Sequence, residues 1–131
     1  MQKQREVEVI LTRQLASYLA TPVFVVDPDG VLLFYNEAAE KILGLRFEET
    51  GEMPAAEWAT VFTPMSERGE LLPPESLPLM IALTKNMPAH DRFWIHGLDR
   101  KMHHIDVSAF PLFGQTNRFL GAFAIFWEVA A

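Results

Sequence analysis

Histidine side chains are the groups in this sequence best suited to bind a metal ion or a haem iron. His103 and His104 are adjacent, and neighbouring residues of a strand point to opposite faces of a sheet, so this pair cannot easily share one ion. His90 and His96 lie on another segment, with no cysteine and no dense group of carboxylates nearby. We therefore predict no metal site. Histidines that face solvent or a protein partner are the simpler interpretation.

Catalytic groups are equally hard to assemble from the sequence. Asp27 and Asp29 belong to a predicted turn, and Glu37 and Glu40 lie early in a predicted helix, where acidic side chains interact favourably with the positive helix end. The serines show no histidine and aspartate arrangement of the kind that activates a nucleophile; they are Ser17, Ser66, Ser76 and Ser108. We predict that the chain is not an enzyme.

Composition excludes several further classes of function. The 131 residues include no cysteine, which rules out disulfides, thiolate metal sites, thiol catalysis and a covalent flavin–cysteine adduct. The net charge is −6, whereas binding to nucleic acid phosphates requires a basic face. The apolar runs are far shorter than the ~20 residues that cross a membrane, and the charged N-terminus does not resemble a signal peptide. The expected location is the cytoplasm.

The start of the chain predicts a helix followed by a hairpin. Apolar residues spaced by three or four predict an amphipathic helix over Gln4–Ala20, and Thr21-Pro22 ends it. Val23–Asp27 and Val31–Tyr35 are rich in β-branched and aromatic residues, which favour strands. Pro28-Asp29-Gly30 between them predicts the turn, because proline fixes φ and glycine accepts a positive φ.

Helices fill the middle of the chain and strands its last third. Asn36 is placed to cap the helix “EAAEKIL”, and Gly44 to end it. Two further helices are predicted at “AAEWATVF” and “LPLMIALTKN”, with the loop “RGELLPPES” between them. The segments “DRFWIHG”, “MHHIDVSAFPL” and “RFLGAFAIFWEV” predict a three-stranded meander.

In this order the segments resemble a PAS domain, the small sensory module of signalling proteins. The resemblance rests on “VVDPDGVLLFYNEAAEKILG”, on the “LPLMIALTKNMP” helix that leads into a strand, on “HHIDVSAFPL” and on “GAFAIFWEVA”. It extends from about Ala16 to Ala131. It implies an α+β fold with a five-stranded antiparallel sheet of order 2-1-5-4-3, helices on one face and an N-terminal flanking helix. The implied domains are residues 1–20, the flanking helix, and 21–131, the PAS domain.

Two positions depart from the family pattern. Arg100 stands where the family usually has a glycine in the hairpin before “MHHIDV”, so we expect that turn to be built differently. The ending “WEVA” replaces the family's “DIT”, whose acidic residue helps to pass signals to a following helix, and Glu128 could fill that role. We expect a longer protein in which a linked C-terminal effector follows: a kinase, phosphatase, cyclase or transcription regulator.

Alternation along the strands divides the predicted sheet into two faces. By resemblance to PAS domains with known ligands, the inner face meets the helices and encloses a pocket. Its strand residues are Phe24, Val26, Leu33, Tyr35, Phe93, Ile95, His103, Ile105, Val107, Ala122, Ala124 and Phe126. Its helix residues are Ala39, Leu43, Trp58, Phe62, Leu77, Met80 and Ile81. The small Ala122 and Ala124 leave space for a cavity; alternatively, phenylalanine side chains fill that space.

The opposite, outer face is too apolar to be left to solvent. Its residues are Val23, Val25, Leu32, Phe34, Trp94, Phe110, Phe123, Ile125 and Trp127. Its expected cover is the N-terminal helix, through Val7, Ile10, Leu11, Leu15, Tyr18 and Leu19. A second copy of the domain could cover the remainder, which predicts a homodimer.

A pocket of this composition suits a small apolar or amphipathic ligand, for example a fatty acid, with Tyr35 as its main hydrogen-bonding group. His103 could approach a ligand carboxylate. Haem is disfavoured because the helix “SLPLMIALTKN” has no histidine and Met80 is more simply a core residue. Noncovalent flavin is disfavoured because few inward polar groups could hold its ring.

The sequence therefore predicts a sensory PAS module that binds such a ligand and relays the signal to a linked effector through dimerisation. Any catalytic activity would then belong to the effector. The alternative is a ligand-free module that serves only dimerisation and protein–protein interaction.

Overall fold

The computed structural model describes residues 10–11, 14–15 and 17–129. Its five strands form one antiparallel sheet in the order β2-β1-β5-β4-β3, as predicted. The strands are β1 Val23–Val26, β2 Leu32–Tyr35, β3 Ala89–His96, β4 Met102–Phe113 and β5 Phe119–Glu128. The helices are α1 Glu37–Leu43, α2 Phe47–Thr50, α3 Ala55–Val61 and α4 Pro78–Lys85, with 3-10 turns at Pro74–Ser76 and Gln115–Asn117. The main apolar core lies between one face of the sheet and the helices.

Asn36 connects the first hairpin to α1. Its Oδ1 accepts hydrogen bonds from the backbone N–H of Ala39 at 3.1 Å, as an N-cap, and from that of Val23 at 3.0 Å. Its Nδ2 donates to the carbonyl of Thr21 at 2.8 Å. The predicted cap is therefore confirmed, and the same side chain also fixes the start of β1.

A β-bulge in the first hairpin decides which leucine faces the helices. Val26 pairs with Leu32, and the register shifts immediately before this pair. Leu32 is consequently buried in the main core, whereas Leu33 packs with Leu120 in a separate cluster. The faces predicted for Leu32 and Leu33 are therefore wrong, because strict alternation does not allow for the extra residue of a bulge.

The turn between β3 and β4 keeps a left-handed residue at Arg100. Its φ is 69°, and its N–H donates to the carbonyl of Gly97 at 2.9 Å. Glycine adopts this conformation without steric cost, whereas other residues do so at a cost of roughly 1–2 kcal/mol. The expectation that this turn would be built differently is therefore wrong in this respect: the arginine takes the conformation that favours glycine.

The segment before β1 does not cover the sheet in the way predicted. Helical backbone occurs at Ile10, Leu11, Gln14, Leu15 and Ser17, but no N-terminal helix with defined bounds is evident among the described residues. The large apolar side chains of this segment that the structure describes are exposed: Ile10, Leu11, Leu15, Tyr18 and Leu19. Val7 lies outside the described residues, and the domain division at residue 20 stays a prediction.

Candidate functional site

A cavity of about 90 Å³ lies between the sheet and the helices. Its walls are almost entirely apolar and are formed by Phe24, Leu43, Trp58, Phe62, Pro64, Leu77, Pro78, Leu79, Phe93, Ile95, Ile105, Val107, Ala124 and Phe126. Walls of this composition favour nonpolar molecules over polar ones. Most of these residues are those predicted for the inner face, so the structure brings them together around one space.

Small and large side chains create this space jointly. Ala124 of β5 lies opposite Phe24 of β1 and Ala109 of β4 in the sheet, and its short side chain leaves room above the middle of the sheet. Trp58 of α3 closes one side, with its Nε1 donating to the carbonyl of Gly30 at 2.7 Å. The Trp58 and Phe24 rings meet edge-on with centroids 5.7 Å apart. The hydrogen bond and the ring contact hold these two walls in place.

Pro64, Pro78 and Leu79 are the wall residues that the sequence pattern does not predict. Pro64 lies in a loop without periodicity. Pro78 and Leu79 lie in α4, where nearly every early residue is apolar, so spacing alone cannot decide which side faces the sheet. Leu77 is the N-cap of α4 and still lines the cavity, as predicted.

Several residues predicted for the pocket lie elsewhere in the core. Val26, Ala39 and Ala122 are buried in the main core without lining the cavity. Met80 and Ile81 are only half-buried, because α4 turns its Leu79 and Ala82 side towards the interior. The predicted position of Met80 and Ile81 at the pocket is therefore wrong by about one residue in helix phase.

Tyr35 has a structural role in place of the predicted ligand contact. Its hydroxyl donates to the carbonyl of Leu45 at 2.7 Å and lies 3.2 Å from Oγ1 of Thr50. Burial raises the pKa of Tyr35 above its ordinary value. The ring belongs to the core, but it does not line the cavity, so its hydroxyl secures the segment after α1.

The adjacent histidines of β4 point to opposite faces, as predicted. His103 is 9% exposed, and its Nδ1 lies 3.1 Å from Oε2 of Glu128. His104 stacks on Trp94 with ring centroids 4.4 Å apart, and its Nε2 lies 2.6 Å from Oε1 of Glu67. Among the described residues, no three histidine, aspartate or glutamate side chains are grouped closely enough to hold a metal ion.

The outer face has an apolar half over β1, β2 and β5. Val23, Val25 and Phe123 are buried there, with four half-buried residues packed against them: Phe34, Phe110, Leu112 and Ile125. Beyond this cluster Trp127 is 43% exposed. The predicted apolar character of this face therefore holds for this half, with Leu112 as an addition.

The other half of the outer face carries a polar cluster over β3 and β4. The buried carboxylate of Asp106 accepts a hydrogen bond from Nη2 of Arg92 at 2.8 Å, and its other oxygen lies 2.5 Å from Nε2 of His90. The hydrogen bond from Arg92 is the main reason why the pKa of Asp106 lies below its ordinary value. Arg92 and Asp106 are direct partners in the β3–β4 register, a pairing that the sequence pattern alone does not predict.

Comparison with known proteins agrees with the architecture. A family profile described as “PAS fold” matches residues 18–131. No curated protein matches the sequence. Among the described residues, none of the helices has the length and hydropathy needed to cross a bilayer.

Solved structures of other proteins have the same fold at low sequence identity. The PAS domain of a Colwellia psychrerythraea protein is 14% identical with a TM-score of 0.64, covering 93% of this chain and 97% of that one. The PAS domain of nitrogen regulation protein NR(II) from Vibrio parahaemolyticus is 15% identical with a TM-score of 0.62, covering 91% and 98%. A Rhodobacter sphaeroides LOV protein is 11% identical with a TM-score of 0.73, covering 95% and 69%.

Proposed function

The chain belongs to the PAS fold family, and from this premise we propose that it is a sensory module whose inner cavity binds a small apolar molecule. The observation that carries the proposal is the cavity of about 90 Å³ with almost entirely apolar walls. Protein interiors are close-packed, so an apolar space of this size is a feature that needs a reason. A ligand that fills it would gain contacts with side chains that now lack partner atoms.

The size of the cavity narrows the class of ligand. Pockets for drug-sized molecules measure about 300–1,000 Å³, and an engineered apolar cavity of about 150 Å³ binds benzene. The cavity of about 90 Å³ therefore suits a molecule of a few heavy atoms, such as a five-membered ring. A long fatty acid, a flavin or a haem would require the wall side chains to move apart.

The outer face supplies the proposed route to other proteins. Trp127 is 43% exposed beside the apolar cluster of β1, β2 and β5. Exposed apolar surface next to such a cluster is typical of an interaction site. We propose that a second copy binds here to form a homodimer, and that the dimer passes the signal to a linked effector. Any catalytic activity would belong to that effector.

Ligand binding is tested first on the protein as purified. A native mass spectrum that exceeds the denatured mass would identify a small ligand retained from the cell. Furan is then titrated into the full chain, with amide and methyl shifts followed by NMR. We expect changes concentrated at wall residues such as Ala124 and Val107. Saturating furan without such changes contradicts the proposal.

The alternative function is a ligand-free module for dimerisation and protein interaction. The observation that favours it is the exposed apolar segment before β1, in which Tyr18 is 87% exposed. In that case the chain would self-associate with an empty cavity, and furan would leave the wall residues unchanged. Sedimentation of the wild type and of Trp127→Glu measures association independently of the ligand.

A further inference from the structure

We infer that His103 forms the polar end of the ligand site and that the ligand carries a hydrogen-bond donor, such as a hydroxyl or a ring N–H. This inference rests on the proposed ligand-binding function. It concerns an imidazole on the inner face of the sheet that does not itself line the cavity but adjoins its wall.

The neighbours of His103 define its position relative to the cavity. In the β3–β4 register it lies directly opposite Ile95, and Ile105 follows two residues later on the same side of β4. Both isoleucines line the cavity. A ligand that extends past these two side chains would therefore meet the imidazole of His103.

The imidazole of His103 has one occupied nitrogen and one unoccupied nitrogen. Its Nδ1 contacts the carboxylate of Glu128 at 3.1 Å. Its Nε2 is buried and has no hydrogen-bond partner among the described residues. A buried polar atom without a partner is costly in free energy, so native structures rarely keep one without a reason.

The contact with Glu128 determines what Nε2 can bind. A carboxylate only accepts hydrogen bonds, so the neutral ring places its hydrogen on Nδ1, and Nε2 is left as an acceptor. As an acceptor, Nε2 would bind a ligand group that donates a hydrogen bond. A ligand carboxylate would instead meet the lone pair of Nε2 and would add a second anion near Glu128.

The side chains of the cavity wall itself provide no hydrogen-bond acceptor for a ligand. The one wall side chain with a strong donor is that of Trp58, and its Nε1 already donates to the carbonyl of Gly30 at 2.7 Å. The remaining side chains of the wall are aliphatic or phenyl groups. The ligand class that follows is a small apolar molecule with one donor group at its end.

Furan and pyrrole test this inference, because the two rings are nearly the same size and only pyrrole has an N–H donor. Both are titrated by NMR into the full-length wild type and into His103→Phe. We expect the wild type to bind pyrrole about tenfold more tightly than furan. The His103→Phe variant should lose this preference while it still binds furan.

The matched control is His104→Phe, which alters the neighbouring histidine on the outer face and should keep the preference for pyrrole. A second readout needs no variant: the nitrogen-15 shift of His103 Nε2 in the wild type should move with pyrrole and stay constant with furan. This readout decides the matter if His103→Phe does not fold.

The outcomes separate this inference from the function on which it rests. Failure of furan to bind overturns the proposed ligand-binding function. Binding of furan without a preference for pyrrole, or a preference that survives in His103→Phe, overturns only the role of His103. Tighter binding of acetate than of pyrrole would overturn the assignment of a donor ligand.

Discussion

The two faces of the sheet are made by the same strands but end in different environments. On β5 the neighbouring residues Phe126 and Trp127 are 4% and 43% exposed. The inner face is closed by the helices of the chain itself and retains a cavity. The outer face is covered only in part. Its own large side chains pack over Val23 and Val25 in one half, and the charged cluster around Asp106 lies on the other half. The inner face is therefore the more completely buried of the two, while the outer face leaves Trp127 partly exposed.

The largest difference in stability between the two faces is expected from alanine substitutions of neighbouring residues on β5. Phe126→Ala removes a buried ring from the main core and should lower the free energy of unfolding by about 3–5 kcal/mol. Trp127→Ala removes a partly solvated ring, and we expect a loss of about 1 kcal/mol or less in the monomer. Urea unfolding at low protein concentration measures both. Equal losses would contradict the division into a closed and an open face.

Substitutions at two alanines that lie opposite each other in the sheet test where the cavity lies on the inner face. Ala109 and Ala124 are register partners, but only Ala124 lines the cavity. Ala109→Val should overpack the core and cost about 1–3 kcal/mol. Ala124→Val has room for its added methyl groups, so its free energy of unfolding should change by less than about 1 kcal/mol. A larger loss of unfolding free energy for Ala124→Val than for Ala109→Val, measured by urea unfolding, would show that the cavity does not lie beside Ala124.

The acid dependence of stability probes the polar half of the outer face. Because the folded-state pKa of Asp106 is lowered, chiefly by the hydrogen bond from Arg92, its charged form stabilises the fold above the ordinary carboxyl range near pH 4. That stabilisation disappears as the pH falls through the lowered pKa. We expect Asp106→Asn to flatten the acidic part of the stability–pH profile, as measured by urea midpoints.

The control for this profile is Asp29→Asn, which alters an exposed aspartate in the β1–β2 turn. It should keep the acid dependence of the wild type. An unchanged profile in Asp106→Asn would show that the outer cluster does not couple to folding.

The smallest effect is expected at Arg100, which belongs to neither face. Its φ of 69° favours glycine, so Arg100→Gly should raise the free energy of unfolding by about 1 kcal/mol or less. It should leave furan binding and self-association unchanged. A change in either would indicate that the β3–β4 turn takes part in the site or in the interface.

Sequence patterns predict the fold well because its signals are local. The turn at Gly30, the cap at Asn36 and the strand composition each have a physical cause within a few residues. The face of the sheet on which a side chain lies is predicted correctly where the strands are regular, as at Phe93 and Ile105. The prediction fails at Leu33, because a bulge interrupts the alternation there.

The site depends on contacts that local patterns do not encode. Helix α4 is apolar on most sides, so its phase is set by packing. Leu79 lines the cavity, whereas the sequence pattern predicts Met80 in that place. The partners of Asp106 and His103 lie 14 and 25 residues away. The volume of the cavity depends on the fit of many side chains at once, which no spacing rule predicts.

Furan binding to the wild type, Ala124→Val and Ala109→Val tests the central claim most directly. The claim is that a ligand enters the space beside Ala124 on the inner face. We expect the wild type and Ala109→Val to show saturable shifts at the wall residues, and Ala124→Val to show none although it folds. Equal binding by Ala124→Val and the wild type, or no saturable binding by the wild type, would contradict the account.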